Sequence, residues 1–207
     1  FRRVLFRSTK TLLDKGKKVG LLGGDRSTAF GFIKALAETN ESFGILQIDA
    51  HCDLRKSYEG LTFSHGSVMY NILQNFPNIT KLMQLGIRDY CESEWDYICN
   101  SEFKVTTYFE RELKERIYEG QTWQHIADEI VSQLPQNVYI SYDIDGLDPK
   151  LCPHTGTPVP GGFDMEQVNY IFKKITSSGK KIIGFDLSET GVSSDGWDEN
   201  VSARILF

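Results

Sequence analysis

Short apolar runs that stop at Gly, Asp or Glu alternate with longer stretches of helical period along most of the chain. Residues 18–22 (KVGLL) run into Gly23-Gly24, and residues 43–48 (FGILQI) run into Asp49. Residues 82–87 (LMQLGI), 138–142 (VYISY) and 181–187 (KIIGFDL) repeat the pattern. Apolar runs of this length read as strands buried on both faces, so five parallel strands are expected. Residues 28–39 and 67–74 carry helical spacing, and residues 123–134 bring Ile126, Ile130, Val131 and Leu134 to one face. Asp164, with Gln167 three residues on and Gly179 as a stop, predicts a helix over 165–178. The charged stretch 110–119 (ERELKERIYE) reads as a solvated helix or loop, and NVSARILF at the end as an amphipathic helix cut short. The alternation predicts an α/β class, a parallel sheet with helices on both faces.

Composition narrows the function. A chain of 207 residues fits one domain, and 40% hydrophobic with 25% charged residues is the makeup of a compact core rather than a rod or disordered tail. Asp plus Glu outnumber Lys plus Arg by 28 to 23, a net charge of -5 that repels polyanions, so no nucleic-acid partner is expected. No run approaches the roughly 18 apolar residues of a membrane span, so no membrane partner is expected either. Cys52, Cys91, Cys99 and Cys152 lack CxxC spacing and are too sparse for a disulfide scaffold, which makes a reducing compartment, the cytoplasm, the default. Residues 1–8 (FRRVLFRS) are not a secretory signal and read as a non-native or fragment-junction segment. Residues 9–207 then form a single domain, incomplete at both ends, that starts almost at once with a strand.

Two strand ends carry the chemistry. Asp49, His51 and Asp53 stand at alternate positions after one strand, where an extended backbone turns them the same way. Asp143 and Asp145 repeat the device after another strand, followed by Asp148-Pro149. Ligands of open α/β sheets lie beyond the carboxyl ends of the strands, so both groups face one crevice. Ionised carboxylates this close repel unless a cation sits among them. Oxygen-rich ligation with one imidazole suits a hard or borderline ion such as Mn²⁺, and two ions sharing carboxylates fit the ligand number best.

Six segments in order carry a resemblance. GGDRS (23–27), IDAHCD (48–53), FSHGSVM (63–69), SYDIDGLDP (141–149), TGTPVPGG (155–162) and FDLSE (185–189) resemble the motifs of the ureohydrolases, the family of arginase and agmatinase, from about residue 20 to the end. The stretch 53–71 is more similar to agmatinase-type members than to arginases. The resemblance implies a three-layer α/β/α fold, a pair of Mn²⁺ ions, and hydrolysis of a small guanidino compound to urea and an amine by a metal-activated hydroxide. It also implies a homo-oligomer, a trimer or hexamer. Position by position, it implies that Asp49 and Asp143 bridge the metals, His51 and Asp145 complete one ion and Asp53 serves the other. Asp53 would also carry a proton to the departing amine, His65 would shuttle protons at the mouth, Glu189 would grip the guanidinium and Thr157 would wall the pocket.

At one position the chain departs from the pattern. The family writes GGDHS, with a ligand histidine where this chain has Arg26, and a guanidinium has no lone pair to give. Three arrangements are open. Arg26 points away and that ion binds weakly; or its guanidinium replaces the ion's charge among Asp49, Asp53 and Asp143; or catalysis is lost and the chain is a ureohydrolase-like pseudoenzyme or regulator. A guanidinobutyrase- or formiminoglutamase-type member is the other enzymatic alternative. His154 reads as a surface loop residue, His125 as a surface or packed helical residue, and Cys52 as a small buried hydrophobe. GxGxxG and GxxxxGK[ST] are both absent, so Gly23-Gly24 is read as a turn and not a nucleotide site.

Overall fold

The computed structural model describes residues 2–207. Six strands form one all-parallel sheet in the order β1-β6-β5-β2-β3-β4: β1 Gly20–Leu22, β2 Phe43–Ile48, β3 Ile79–Ile87, β4 Val105–Phe109, β5 Asn137–Asp143 and β6 Lys181–Ser188. Helices α1 Arg2–Asp14, α2 Ala29–Thr39, α3 Val68–Asn75, α4 Glu92–Cys99, α5 Glu110–Tyr118, α6 Trp123–Gln133, α7 Met165–Ser177 and α8 Trp197–Leu206 complete it. Every residue of β2 is buried, as a strand covered on both faces requires. Its alternate side chains divide between two cores. Leu46 and Ile48 pack with residues of α6 and α7, while Phe43 and Ile45 pack with residues of α2 and α3.

The expected class holds, with two elements added. The sheet has a sixth strand, β4, whose sequence VTTYF is short and half polar because β4 is an edge that buries fewer of its side chains. The chain does not start with a strand: α1 precedes β1 and takes in residues 2–8, with Thr9 buried and Lys10 paired to Glu38 of α2. Stretch 110–119 is helix α5, and it is not fully solvated. Glu110 and Leu113 are buried, and Glu110 Oε1 accepts the Gly162 backbone N–H at 2.6 Å. Helix α7 opens with the expected capping box and stops at Gly179, at φ +80°. Among the described residues no helix is long and apolar enough to cross a membrane, and all four cysteines are free thiols.

Connectivity places the site. From β2 the chain steps to β3 and β4 on one side, and from β5 to β6 on the other, so the sheet reverses direction between β2 and β5. Crevices open at such reversals. The loop 148–163 after β5 forms one wall. Arg88 ties it down by donating to the carbonyls of Asp145 (2.7 Å), Leu147 (3.1 Å) and Val159 (3.0 Å). His154 fastens the same loop to α8: its backbone N–H and Nδ1 reach the two carboxylate oxygens of buried Asp198 at 3.0 and 2.9 Å.

Gly162 turns this loop back at φ +106°, where an added Cβ would lie 2.4 Å from the Leu147 carbonyl. Gly162→Ala therefore destabilises the fold by about 2–4 kcal/mol, a fall in Tm of roughly 5–15 °C. Gly179→Ala, also at positive φ but facing open space, costs only about 1 kcal/mol; equal losses would disprove the clash. The hydrogen bond to Asp198 raises the His154 pKa above its ordinary value. The protonated pair thus adds stability fully present below about pH 6.5 and lost as pH rises through the raised value. Melting curves from pH 5 to 9 should show the deficit of His154→Ala shrinking toward alkaline pH; a deficit independent of pH would contradict the pairing.

Candidate functional site

Register brings the two acidic strand ends together. Ile48 of β2 pairs with Tyr142 of β5, so Asp49 and Asp143 emerge side by side at the reversal. Ser188 of β6 pairs with Asp143 and places Glu189 one step further out. Beyond β1, a single turn of 3-10 helix (Arg26–Thr28) is capped by Asp25, whose Oδ1 accepts the Ser27 N–H at 2.8 Å. Glu189 Oε1 accepts the Arg26 N–H at 2.8 Å, and the Glu189 N–H donates to the Gly24 carbonyl at 2.9 Å. Four strands thus deliver one cluster.

Arg26 is at its centre. The side chain is 1% exposed, its Nε lies 2.7 Å from Asp53 Oδ2, its Nη2 3.2 Å from Asp49 Oδ2, and its Nη1 3.4 Å from Asp143 Oδ2. It does not point away, so the first of the three arrangements is ruled out. Burial alone would lower its pKa, but Asp49, Asp53, Asp143 and Asp186 together raise it well above the ordinary value. Burial pushes the Asp53 and Asp143 carboxyls up and the other acids add to the effect, with Arg26 opposing it. For Asp49 the pull of Arg26 and His51 outweighs burial and brings the pKa down to about 2.

A second focus lies beside the first. His51 Nδ1 stands 3.1 Å from Asp145 Oδ2 and 3.4 Å from Asp49 Oδ1. Asp49, His51 and Asp145 each turn one ligand atom to within 4.8 Å of the others, the one such group of three among the described residues. Burial would lower the His51 pKa, but hydrogen bonds to Asp145 and Asp49 raise it to about 11. Asp53 and Asp143, expected as ligands too, belong instead to the surroundings of Arg26. Four carboxylates here face one guanidinium and one imidazole, a deficit of positive charge that a divalent ion at Asp49, His51 and Asp145 would correct. Two oxygens and a nitrogen fit such an ion. The space among Asp49, Asp53 and Asp143 does not fit one, because the guanidinium fills it.

The cluster forms the floor of a cavity of about 460 Å³ whose lining includes Glu189, Thr157 and His65. Thr157 Oγ1 donates to Asp145 Oδ2 at 3.3 Å. His65 starts a 3-10 turn after Ser64, with Nδ1 3.3 Å from Asp25 Oδ2 and its ring edge-on to Tyr58 at 5.3 Å. Burial raises the Glu189 carboxyl despite the hydrogen bond from the Arg26 N–H. Asp53 and Glu189 both adopt left-handed backbone, φ +56° and +62°, a conformation that costs a non-glycine residue about 1–3 kcal/mol. His125 is exposed on α6, and Cys52 is wholly buried, its thiol pushed up by burial.

Sequence reasoning overlooked the support beneath the site. Thr107 Oγ1 donates to Gln84 Oε1 (2.7 Å), Gln84 Nε2 to Gln47 Oε1 (2.8 Å), and Gln47 Nε2 to Asp49 Oδ2 (2.9 Å), a polar ladder across β4, β3 and β2. The signal was a glutamine inside each of two otherwise apolar runs, FGILQI and LMQLGI, which the register then pairs as Gln47 with Gln84. Buried Asp186 was also missed. Its Oδ2 accepts from Tyr139 (2.6 Å) and Ser141 (2.8 Å), and Ser141 Oγ in turn accepts from Arg26 Nη2 at 3.4 Å.

Comparison with known proteins adds a lineage. The chain is 34% identical over 196 residues to the N(1)-aminopropylagmatine ureohydrolase of Thermus thermophilus, a match covering 94% of this chain and 62% of that protein. It is 32% identical over 196 residues to the agmatinase of Pyrococcus horikoshii, covering 90% and 59%. The crystal structure of the agmatine ureohydrolase of Thermoplasma volcanium superposes with a TM-score of 0.82 at 26% identity, over 99% of this chain and 65% of that one. The chain spans about three-fifths of the length of the curated relatives it matches. Residues 3–204 match the model described as Arginase family, so that the fold, the strand-end acids and the relatives agree: the chain belongs to the arginase family.

Proposed function

We propose that this protein hydrolyses the guanidino group of a small amine-bearing compound, of the agmatine or N(1)-aminopropylagmatine type, to urea and an amine. The observation that carries the reading is the convergence of Asp49, His51 and Asp145, the last two of which line an open, acid-rich cavity. These residues would hold a divalent ion, Mn²⁺ by the family's habit, and the ion when bound supplies the Lewis acidity that makes water nucleophilic near neutral pH.

The chain's own residues do the rest. Glu189 lines the cavity and offers a planar guanidinium a carboxylate, which orients the carbon for attack. Thr157, hydrogen-bonded to Asp145, keeps that carboxylate turned inward. The departing nitrogen must gain a proton to leave. His65, with Nδ1 at Asp25, has its other ring nitrogen to give one. Asp53, close to Arg26, acts as a counter-ion rather than as that proton carrier. Asp25 and Asp89 at the rim, with side chains 51% and 61% exposed, suit a substrate whose far end is an amine. They disfavour guanidinobutyrate and formiminoglutamate, which end in carboxylates. Homo-oligomeric assembly belongs to the same proposal.

The second reading is a catalytically silent family member, and Arg26 in a ligand histidine's place favours it. Urea release from agmatine and N(1)-aminopropylagmatine, with Mn²⁺ supplied, separates the two. Turnover by the wild type is expected, with His51→Ala losing both metal and activity. His65→Ala should keep its metal and lose roughly 10²–10⁴ in kcat. A metal-loaded protein that releases no urea from any guanidino compound would leave the silent reading in possession.

A further inference from the structure

We infer that the Arg26 guanidinium is the resident second cation of this centre, so that the protein holds one divalent ion, at Asp49, His51 and Asp145, and none among Asp49, Asp53 and Asp143. This deepens the metal-dependent reading above and rests on it. The donor atoms already sort themselves between two foci. Asp49 Oδ2, Asp53 Oδ2 and Asp143 Oδ2 face the guanidinium, at 3.2, 2.7 and 3.4 Å. Asp49 Oδ1 and Asp145 Oδ2 face His51 Nδ1, at 3.4 and 3.1 Å. Asp49 is shared, one oxygen to each.

Three further features keep Arg26 in place. Its backbone is held by Glu189 and by the turn that Asp25 caps, so the side chain enters the cluster from a fixed origin. Its side chain and that of Asp53 are only 1% and 5% exposed, so the guanidinium is packed among its carboxylate partners beneath the cavity. Arginine also keeps its charge at every accessible pH, unlike a histidine or a lysine in the same setting. A divalent ion entering among these three carboxylates would have to sit against a permanent positive charge and displace it. The guanidinium satisfies them by charge more than by aligned hydrogen bonds, since Nε and Nη1 have no directed hydrogen-bond partner. It occupies the space with delocalised charge, where an ion would have demanded a coordination geometry.

Equilibrium dialysis against Mn²⁺ followed by elemental analysis reads the stoichiometry directly. The wild type should retain one Mn²⁺ per chain, Arg26→His two, and His51→Ala none. Melting in chelator gives a second readout independent of activity. Metal-free Arg26→Met should melt lower than the wild type by on the order of 10 °C, because it leaves three buried acids without their cation, and Mn²⁺ should raise the melting point of Arg26→His more than it raises that of the wild type. Two ions in the wild type, one in Arg26→His, or equal melting of metal-free wild type and Arg26→Met would overturn the inference. One ion in the wild type without urea release would retire the hydrolase reading and leave this inference standing, whereas no ion in either protein would retire both.

Discussion

Parallel strands that end side by side in acidic residues set a problem that the rest of this molecule answers. Asp49, Asp53, Asp143 and Asp145 are each under a tenth exposed, and all approach one point at the reversal of the sheet. Like charges about 4 Å apart repel by about 4 kcal/mol at an effective dielectric near 20, and burial leaves little water to soften it. Positive charge has to come from somewhere. Here the chain provides part of it through Arg26 and part through His51, and the remaining deficit defines a place for a divalent ion. The surrounding architecture aims these groups at one another: the Asp25-capped turn, the grip of Glu189 on the Arg26 amide, and the loop 148–163 anchored by Arg88 and His154.

Much of this was legible in the sequence, for a physical reason. A strand buried on both faces must be apolar throughout, so FGILQI and VYISYD announce both their structure and the point where it ends. Spacing alone did not show how the acids of IDAHCD and SYDIDG meet: Asp145 reaches the cluster from a 3-10 turn over Ile144–Gly146 and Asp53 from left-handed backbone, neither of them the extended alternation expected. Less visible was β4, because an edge strand buries fewer residues and VTTYF is half polar. The destination of Arg26 was equally hidden. Sequence leaves its direction open, and only the register that puts the end of β1 beside β6, two strands from β2, turns it toward three acids. Helix α5 showed why a run of charges is an uncertain guide: one of its acids, Glu110, serves as the buried acceptor for Gly162.

Polar residues inside the sheet explain the precision of the site better than its ligands do. The ladder from Thr107 through Gln84 and Gln47 delivers a hydrogen bond to Asp49 Oδ2, the same oxygen that faces Arg26. Asp49 Oδ1 is set independently, by the His51 N–H at 2.7 Å. The carboxylate that is shared between the two cationic foci is thus held at both ends before any ion arrives, and neighbouring acids are held likewise by the N–H groups of Ala50 and Asp145. Orientation fixed in advance is what makes a charged site effective, since nothing has to reorganise when charge develops.

Arg26 has a consequence for how such a protein lives with fluctuating trace elements. A cation attached through the backbone has no dissociation constant; it is present from the moment the polypeptide is synthesised and cannot be scavenged, exchanged for a wrong ion or lost on dilution. A starved or chelator-treated molecule would therefore forfeit only part of its inner positive charge. The guanidinium would go on offsetting its share of the Asp49, Asp53 and Asp143 charge, so that loss of the ion would expose only the remaining deficit at Asp49, His51 and Asp145.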